Sequence, residues 1–190
     1  MRPAVFLDRD GTMIHDVGYL SRREGVQWFP WTVDAIRLLN RSGYLVCVTT
    51  NQSGVGLGHY DEAAVRTLHT WMDGQLRASG AAVDAWYYCP HHPEALVPAL
   101  RQECECRKPA PGMIRQAARA FSIDLERSYV VGDKLLDVGL AAQAGAKGIL
   151  VMTGYGADVV RAHEGVVPGA AHVAANLMEA TSWLLDRNRS

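Results

Sequence analysis

Ala4-Val5-Phe6-Leu7-Asp8-Arg9-Asp10-Gly11-Thr12 is the stretch on which the reading turns. Four apolar residues run without interruption into two carboxylates and a glycine. An apolar run that does not alternate with polar residues is a strand buried on both faces. The Asp-Gly pair that follows it reads as the loop into which the strand feeds. Two further junctions repeat the pattern. Tyr44–Thr50 is β-branched and apolar and passes into Asn51-Gln52-Ser53. Tyr129–Val131 passes into Gly132-Asp133-Lys134. In open parallel sheets, ligands collect beyond the carboxyl ends of the strands. These three polar clusters, distant in sequence, are therefore expected to meet at one site.

Between the junctions the pattern is helical. Val33, Ile36 and Leu39 recur at helical spacing, with Gly43 as a stop. Asp61 can cap a long helix that carries Val65, Leu68, Met72 and Leu76 on one face. Met113, Ala117 and Phe121 mark another helix, Asp137–Gly145 a further one, and Leu177–Leu185 the last. Ala85–Cys89, Ile149–Met152 and a segment around Val173 complete the set of strands. Strands alternating with helices predict an α/β fold, a Rossmann-like three-layer sandwich with a mostly parallel sheet. At 190 residues the chain suits one domain over 1–190 and is short for two.

Composition narrows the function classes. Hydrophobic residues make up 48% and charged residues 21%, with a formal net charge of -1. No Lys/Arg block is present, so a nucleic-acid or membrane-surface partner has no electrostatic footprint. No apolar run approaches the roughly 18 residues of a membrane span. A charge interrupts the N-terminal apolar run too early for a signal peptide, so a cytoplasmic location is the expectation. Neither heptads nor a sticky edge stands out, and a monomer is expected.

The carboxylates suggest phosphoryl transfer. Breaking a phosphomonoester needs a nucleophile, a proton donor for the leaving oxygen, and cations for the phosphoryl oxygens. Asp8, at a strand end, is placed to attack phosphorus and form an acyl-phosphate. Asp10 is placed to protonate the leaving group and later activate water. Carboxylates so close repel one another unless a hard divalent cation joins them, and magnesium prefers oxygen ligands. Asp133 adds a carboxylate from another strand end.

A second cluster lies in the proline-rich stretch from His91 to Pro111, long and irregular enough to be a functional or metal-stapled loop. Of the four cysteines, Cys89 precedes it, and Cys104 and Cys106 lie near its end. Three thiolates and an imidazole suit tetrahedral zinc. His91 and His92 compete for the fourth place. With all four positions supplied by protein, such a zinc is structural. Cys47 lies inside an apolar strand and reads as packing.

Asp8-Arg9-Asp10-Gly11-Thr12 resembles the first motif of the haloacid dehalogenase superfamily of phosphatases. The other motifs follow in order: Thr50 or Thr49 after the second strand, Lys108 before a helix, and Gly132-Asp133-Lys134-Leu135-Leu136-Asp137. The resemblance implies that Asp8 is the nucleophile and Asp10 the general acid/base. It implies that Thr50 and Lys108 hold the phosphoryl oxygens. It gives magnesium the side chains of Asp8 and Asp133 and the backbone carbonyl of Asp10. Thr-Asn-Gln-Ser favours Thr50 over Thr49; strand alternation allows only one of them to face the site. Asp137 lies behind the metal or serves as a surface or capping carboxylate.

Within that superfamily, Thr-Asn-Gln-Ser-Gly, Tyr-Tyr-Cys-Pro-His-His-Pro, Cys-x-Cys-Arg-Lys-Pro and Val-Gly-Asp-Lys are similar to the branch that releases the 7-phosphate of D-glycero-D-manno-heptose 1,7-bisphosphate. The resemblance runs from about Arg2 to Gly154. It implies a role in supplying activated heptose for lipopolysaccharide, and zinc held by Cys89, His91, Cys104 and Cys106. Arg107 would contact the second phosphate, as a guanidinium suits. Asp16, Gly18 and Tyr19 would line the sugar site, with polar contacts from Asn51, Gln52 and Ser53. The intervals look too short for a separate cap domain. Histidinol-phosphate phosphatase shares the branch and the zinc-loop pattern, and is the alternative; a phosphosugar-binding protein without activity is a third reading. Phe29-Pro30-Trp31-Thr32 departs from the family's usual turn before the first helix, away from the chemistry.

Overall fold

The computed structural model describes residues 1–187; the last three residues of the domain expected over 1–190 lie outside the described residues. Strand β1 is Ala4–Leu7, with all four side chains buried. Helix α1 (Thr32–Arg41) leads to β2 (Leu45–Asn51). A single helical turn, α2 (Ser53–Gly56), and the long α3 (Glu62–Ala78) precede β3 (Ala85–Cys89). Then come α4 (Gly112–Phe121), β4 (Tyr129–Gly132), α5 (Leu135–Ala144) and β5 (Lys147–Val151). Helix α6 (Gly156–Ala162), β6 (Ala170–Ala174) and α7 (Leu177–Arg187) complete the described chain.

The six strands form one sheet in the order β3-β2-β1-β4-β5-β6, every neighbouring pair parallel. The expected α/β architecture is therefore present, and its sheet is wholly rather than mostly parallel. The order reverses between β1 and β4, so the chain leaves β1 for α1 on one face and leaves β4 for α5 on the other, and a crevice forms beyond the carboxyl ends of these two strands. That is where the strand-end carboxylates lie.

Alternation along β1 explains the three layers. Val5 and Leu7 face one side and pack with Ile36 and Leu39 of α1, Leu68, Met72 and Leu76 of α3, and Leu177 and Leu184 of α7. Ala4 and Phe6 face the other side and pack with Ile114 and Ala117 of α4 and Leu140 and Ala141 of α5. Burying each large aliphatic or aromatic side chain contributes about 1.5–3 kcal/mol. Cys47 lies on this second side, fully buried, and burial pushes its thiol up to about 12. It is packing, as its place in an apolar strand predicts.

Asp61 caps α3 as expected, accepting from the Ala64 amide at 2.8 Å. Helix α6 was not anticipated: it is short, begins with glycine and has no apolar periodicity long enough to reveal it. The turn α2 replaces part of the expected loop Asn51–Gly58. Among the described residues, the segments between β1 and α1 and between β3 and α4 hold short 3-10 turns, Arg23–Gly25 and Pro98–Leu100, and isolated bridges at Asp10, Ile14 and Trp28, and no cap domain. No helix of the described residues is long and apolar enough to cross a membrane.

Candidate active site

β1 delivers Asp8 to the crevice, its amide still bonded to Val131 of β4 at 2.9 Å. The chain then folds back on itself, with the amides of Met13 and Ile14 donating to the Arg9 carbonyl. Gly11 makes this turn with φ of 87°, and a Cβ there would overlap the Asp133 carboxylate. A Cβ on Gly154, in the loop after β5, would collide with the same carboxylate. Glycine at both positions lets three strand-end loops close around Asp133.

Lys108 enters the crevice from the opposite side. Its Nζ donates to Asp8 Oδ1 at 2.6 Å, to Asp137 Oδ1 at 2.6 Å and to the Thr49 carbonyl at 3.0 Å. Only 4% of Lys108 is exposed. Burial works against its ammonium, but Asp137 and Asp8 outweigh that penalty and raise the pKa, so the lysine stays charged. Asn51 orients it: its side chain accepts from the Lys108 amide at 3.0 Å and donates to the Lys108 carbonyl at 3.3 Å. The Asn51 amide keeps one N–H and one lone pair beyond these two bonds, and the residue lines the clefts on either side.

Asp137 is the capping carboxylate that was one of the roles foreseen for it, but it is not on the surface. It is 1% exposed, pairs with Lys108, and caps α5 by accepting from the Lys134 amide at 3.2 Å.

Carboxylate oxygens of Asp8, Asp133 and Asp137 lie within 4.8 Å of one another. Asp133 is wholly buried; its Oδ2 accepts from the Tyr155 amide at 2.8 Å, and its Oδ1 has no hydrogen-bond partner. Burial first, and the Asp8 charge second, push the Asp133 carboxyl up to about 7. A buried, unpartnered carboxylate oxygen beside two more carboxylates is an oxygen donor set that fits a hard divalent cation.

Asp10 is held apart from that trio. Arg9 donates to both of its oxygens, Nε to Oδ2 and Nη2 to Oδ1, each at 3.0 Å. Gln52 Nε2 donates to Asp10 Oδ2 at 3.2 Å and to Thr50 Oγ1 at 2.9 Å. Burial and, after the opposing pull of Arg9, the Asp8 charge leave the Asp10 carboxyl raised. Gln52 Oε1 accepts from Arg9 Nη2 at 3.1 Å and from the Tyr60 hydroxyl at 3.0 Å. Gln52, expected at the sugar, is 2% exposed and its amide is filled by protein partners. Arg9 Nη1 lies 3.1 Å from His69 Nε2 on α3.

A cleft of about 190 Å³ is lined by Asp8, Asp10, Thr50, Asn51, Ser53, Arg107, Lys108 and Lys134. Thr50, not Thr49, faces it; Thr49 contributes its carbonyl to Lys108 instead. Arg107 points inward, anchored by donation from Nη1 to Ser53 Oγ at 3.0 Å and to the His91 carbonyl at 2.9 Å. A second cleft of about 380 Å³ continues outward past Asp16, Gly18, Tyr19, Tyr60, Lys134 and Tyr155. Asp16 pairs with Lys134 at 3.2 Å, and Tyr19 stacks on His59 with centroids 4.0 Å apart.

In the proline-rich loop, Cys89, His91, Cys104 and Cys106 converge. The sulfurs lie 3.2–3.5 Å apart, and His91 Nδ1 is 3.3 Å from Cys106 Sγ and 3.6 Å from Cys89 Sγ. Tetrahedral zinc with sulfur at about 2.3 Å spaces its ligands roughly 3.7 Å apart, so the donor set fits that ion. His92 is outside the cluster, and its Nδ1 accepts from the Glu94 amide at 3.1 Å.

Arg9, Tyr60, His69, Lys134 and Tyr155 were not among the expected site residues. Arg9 and Lys134 sit inside quoted motifs and were open to notice. His69 lies next to Leu68 on α3, and no motif singles it out.

A family model described as HAD-hydrolase-like matches residues 105–180. A D-glycero-beta-D-manno-heptose-1,7-bisphosphate 7-phosphatase of Rhodopseudomonas palustris is 47% identical over 147 residues, covering 77% of this chain and 82% of that protein. The protein of the same name from Escherichia coli strain K12 is 46% identical over 154 residues, covering 80% of each chain. A crystal structure of D,D-heptose 1,7-bisphosphate phosphatase from B. bronchiseptica, complexed with magnesium and phosphate, superposes with a TM-score of 0.85 at 34% identity, over 97% of this chain and 99% of that one.

Proposed function

This chain belongs to the haloacid dehalogenase-like hydrolases, in the heptose-1,7-bisphosphate 7-phosphatase family, and from that premise we propose that it removes the 7-phosphate of D-glycero-D-manno-heptose 1,7-bisphosphate through a phospho-aspartate on Asp8. The observation that carries the reading is the 190 Å³ cleft in which Asp8, Asp10, Thr50 and Lys108 share one wall with an inward-pointing Arg107.

Asp8 attacks phosphorus and the bond to the sugar oxygen breaks. Asp10, raised by burial, gives its proton to that oxygen. Asp10, now ionised, takes a proton from the water that attacks the phospho-aspartate, and Asp8 is regenerated with release of phosphate. Lys108 and Thr50 neutralise and hold the phosphoryl oxygens during both transfers. Asp8 and Asp133, with the Asp10 carbonyl, would hold magnesium, which supplies positive charge to the phosphoryl group when bound. Zinc on Cys89, His91, Cys104 and Cys106 would be structural, fixing Arg107 and Lys108, which follow the last ligand directly.

Arg107 supports a bisphosphate over histidinol phosphate. Its fork is suited to a second phosphate, which histidinol phosphate lacks. An acidic group free to meet a cationic amine would favour the amino alcohol, but Asp16 is already paired with Lys134. The reading extends to a single catalytic domain acting as a monomer in the cytoplasm. The test is phosphate release with magnesium at matched concentrations of heptose 1,7-bisphosphate and histidinol phosphate. A large kcat/KM preference for the heptose is the expected result; a preference for histidinol phosphate would transfer the chain to the sibling activity.

A further inference from the structure

Arg9 carries a buried charge, only 1% exposed, whose role the reaction above does not use. A guanidinium has five donors and no acceptor. Two of its contacts go to Asp10 and one to Gln52 Oε1. The remaining contact, Nη1 to His69 Nε2 at 3.1 Å, joins two nitrogens, so one must accept. Arginine cannot accept. His69 Nε2 must therefore be unprotonated, and the ring must be the neutral tautomer with its proton on Nδ1. Its surroundings agree. His69 is 5% exposed, stacked on Trp86 with centroids 4.8 Å apart and edge-on to Tyr88 at 5.9 Å. Burial, with Arg9 adding to it, lowers its pKa to about 3.

We propose that His69 is a positioning residue for the general acid/base: its Nε2 fixes the Arg9 guanidinium, and Arg9 in turn aims the Asp10 carboxylate. This rests on the assignment of Asp10 to proton transfer. The physical reason is geometric. Arg9 has a long side chain with several rotamers, and its charge is desolvated. Without an acceptor for Nη1, the guanidinium turns to find one, and Asp10 turns with it. A proton donor displaced by about 1 Å loses up to 10²-fold in rate.

The test uses substrates that differ in their need for a proton. A sugar phosphate leaves as an alkoxide and needs Asp10 in the first transfer; nitrophenyl phosphate leaves as a stable phenolate and does not. kcat/KM reports that first transfer for both. His69→Leu and His69→Phe, two acceptor-free variants, are expected to lose about tenfold in kcat/KM on heptose bisphosphate, through kcat rather than KM, and to stay within about twofold of the parent on nitrophenyl phosphate. His69→Gln, which restores an acceptor, is expected to recover most of the loss. Melting curves identify any variant that does not fold. Equal losses on the two substrates, no loss, or no recovery with glutamine would overturn the proposal. Asp10→Asn is the control that separates the two claims. If it lacks the same substrate selectivity, the role of Asp10 fails and the proposal falls with it. If it has that selectivity and His69→Leu does not, only the His69 link fails.

Discussion

Replacing Lys108 with methionine removes a cation and keeps most of the side-chain volume. Lys108 Nζ is 2.6 Å from both Asp8 Oδ1 and Asp137 Oδ1, whose side chains are 7% and 1% exposed. The variant leaves two buried carboxyls with no counter-charge. Breaking a buried ion pair by deleting one partner costs about 3–5 kcal/mol. For a chain of this size each kcal/mol moves Tm by roughly 2–4 °C, so the drop is about 10 °C. The assay is thermal unfolding followed by circular dichroism in magnesium-free buffer, where no added cation replaces the ammonium. A double variant, Lys108→Met with Asp137→Asn, removes one of the stranded charges and is expected to regain a large part of the loss. Activity does not follow stability: both variants are expected to lose about 10³-fold in kcat, because the phosphoryl oxygens have lost their buried cation. An unchanged or raised Tm for Lys108→Met would refute the reasoning, since it would mean that Lys108 is not the counter-charge this buried cluster depends on.

Asp133 makes stability depend on pH in the opposite sense to an ordinary carboxylate. Its folded pKa of about 7 lies above the usual 3.8, so between those values the folded chain holds the extra proton and stability falls as pH rises. At pH 8 in magnesium-free buffer, Asp133→Asn is expected to be more stable than the parent by up to about 4 kcal/mol, with no difference near pH 4 and with the gap closed by magnesium; urea unfolding at the two pH values checks this. Cys104→Ser with Cys106→Ser should reduce zinc content, lower Tm and raise KM by freeing Arg107 from the His91 carbonyl; unchanged melting after measured zinc loss would dismiss the clip. Arg107→Ala should lose about 10–100-fold in kcat/KM on the bisphosphate and far less on a sugar monophosphate, the size of a lost charged hydrogen bond. Equal losses would mean that Arg107 does not reach the second phosphate.

The parts of the site legible in the sequence were those written into strand ends. Asp8 and Asp133 follow uninterrupted apolar runs, so both position and burial could be inferred. The closely spaced ligand pairs, Cys89 with His91 and Cys104 with Cys106, declared a clip by type and spacing. Alternation along β2 reduced the choice between Thr49 and Thr50 to which face meets the crevice; packing of Val46 and Val48 toward α1 and α3 places Thr50 on that same side. What was hidden depends on contacts across elements. Nothing in the run of α3 distinguishes His69 from Leu68 or Met72 as core, because the ring's partner, Arg9, arrives from the loop after β1. Asn51 and Gln52 were expected at the ligand from the family resemblance; both line the second cleft, and what the sequence did not show is that their amides also bond Lys108, Asp10, Arg9 and Tyr60. The α6 turn escaped because seven residues give too little periodicity to detect.

The most direct test of the covalent mechanism uses Asp10→Asn with nitrophenyl phosphate and magnesium. The leaving group needs no proton, so the first transfer proceeds, while hydrolysis of the phospho-aspartate has lost its base. The account predicts a rapid burst of about one nitrophenolate per chain followed by slow turnover, with the phosphoryl group on the peptide that contains Asp8. Steady release without a burst, or a phosphoryl group on any other peptide, would contradict it.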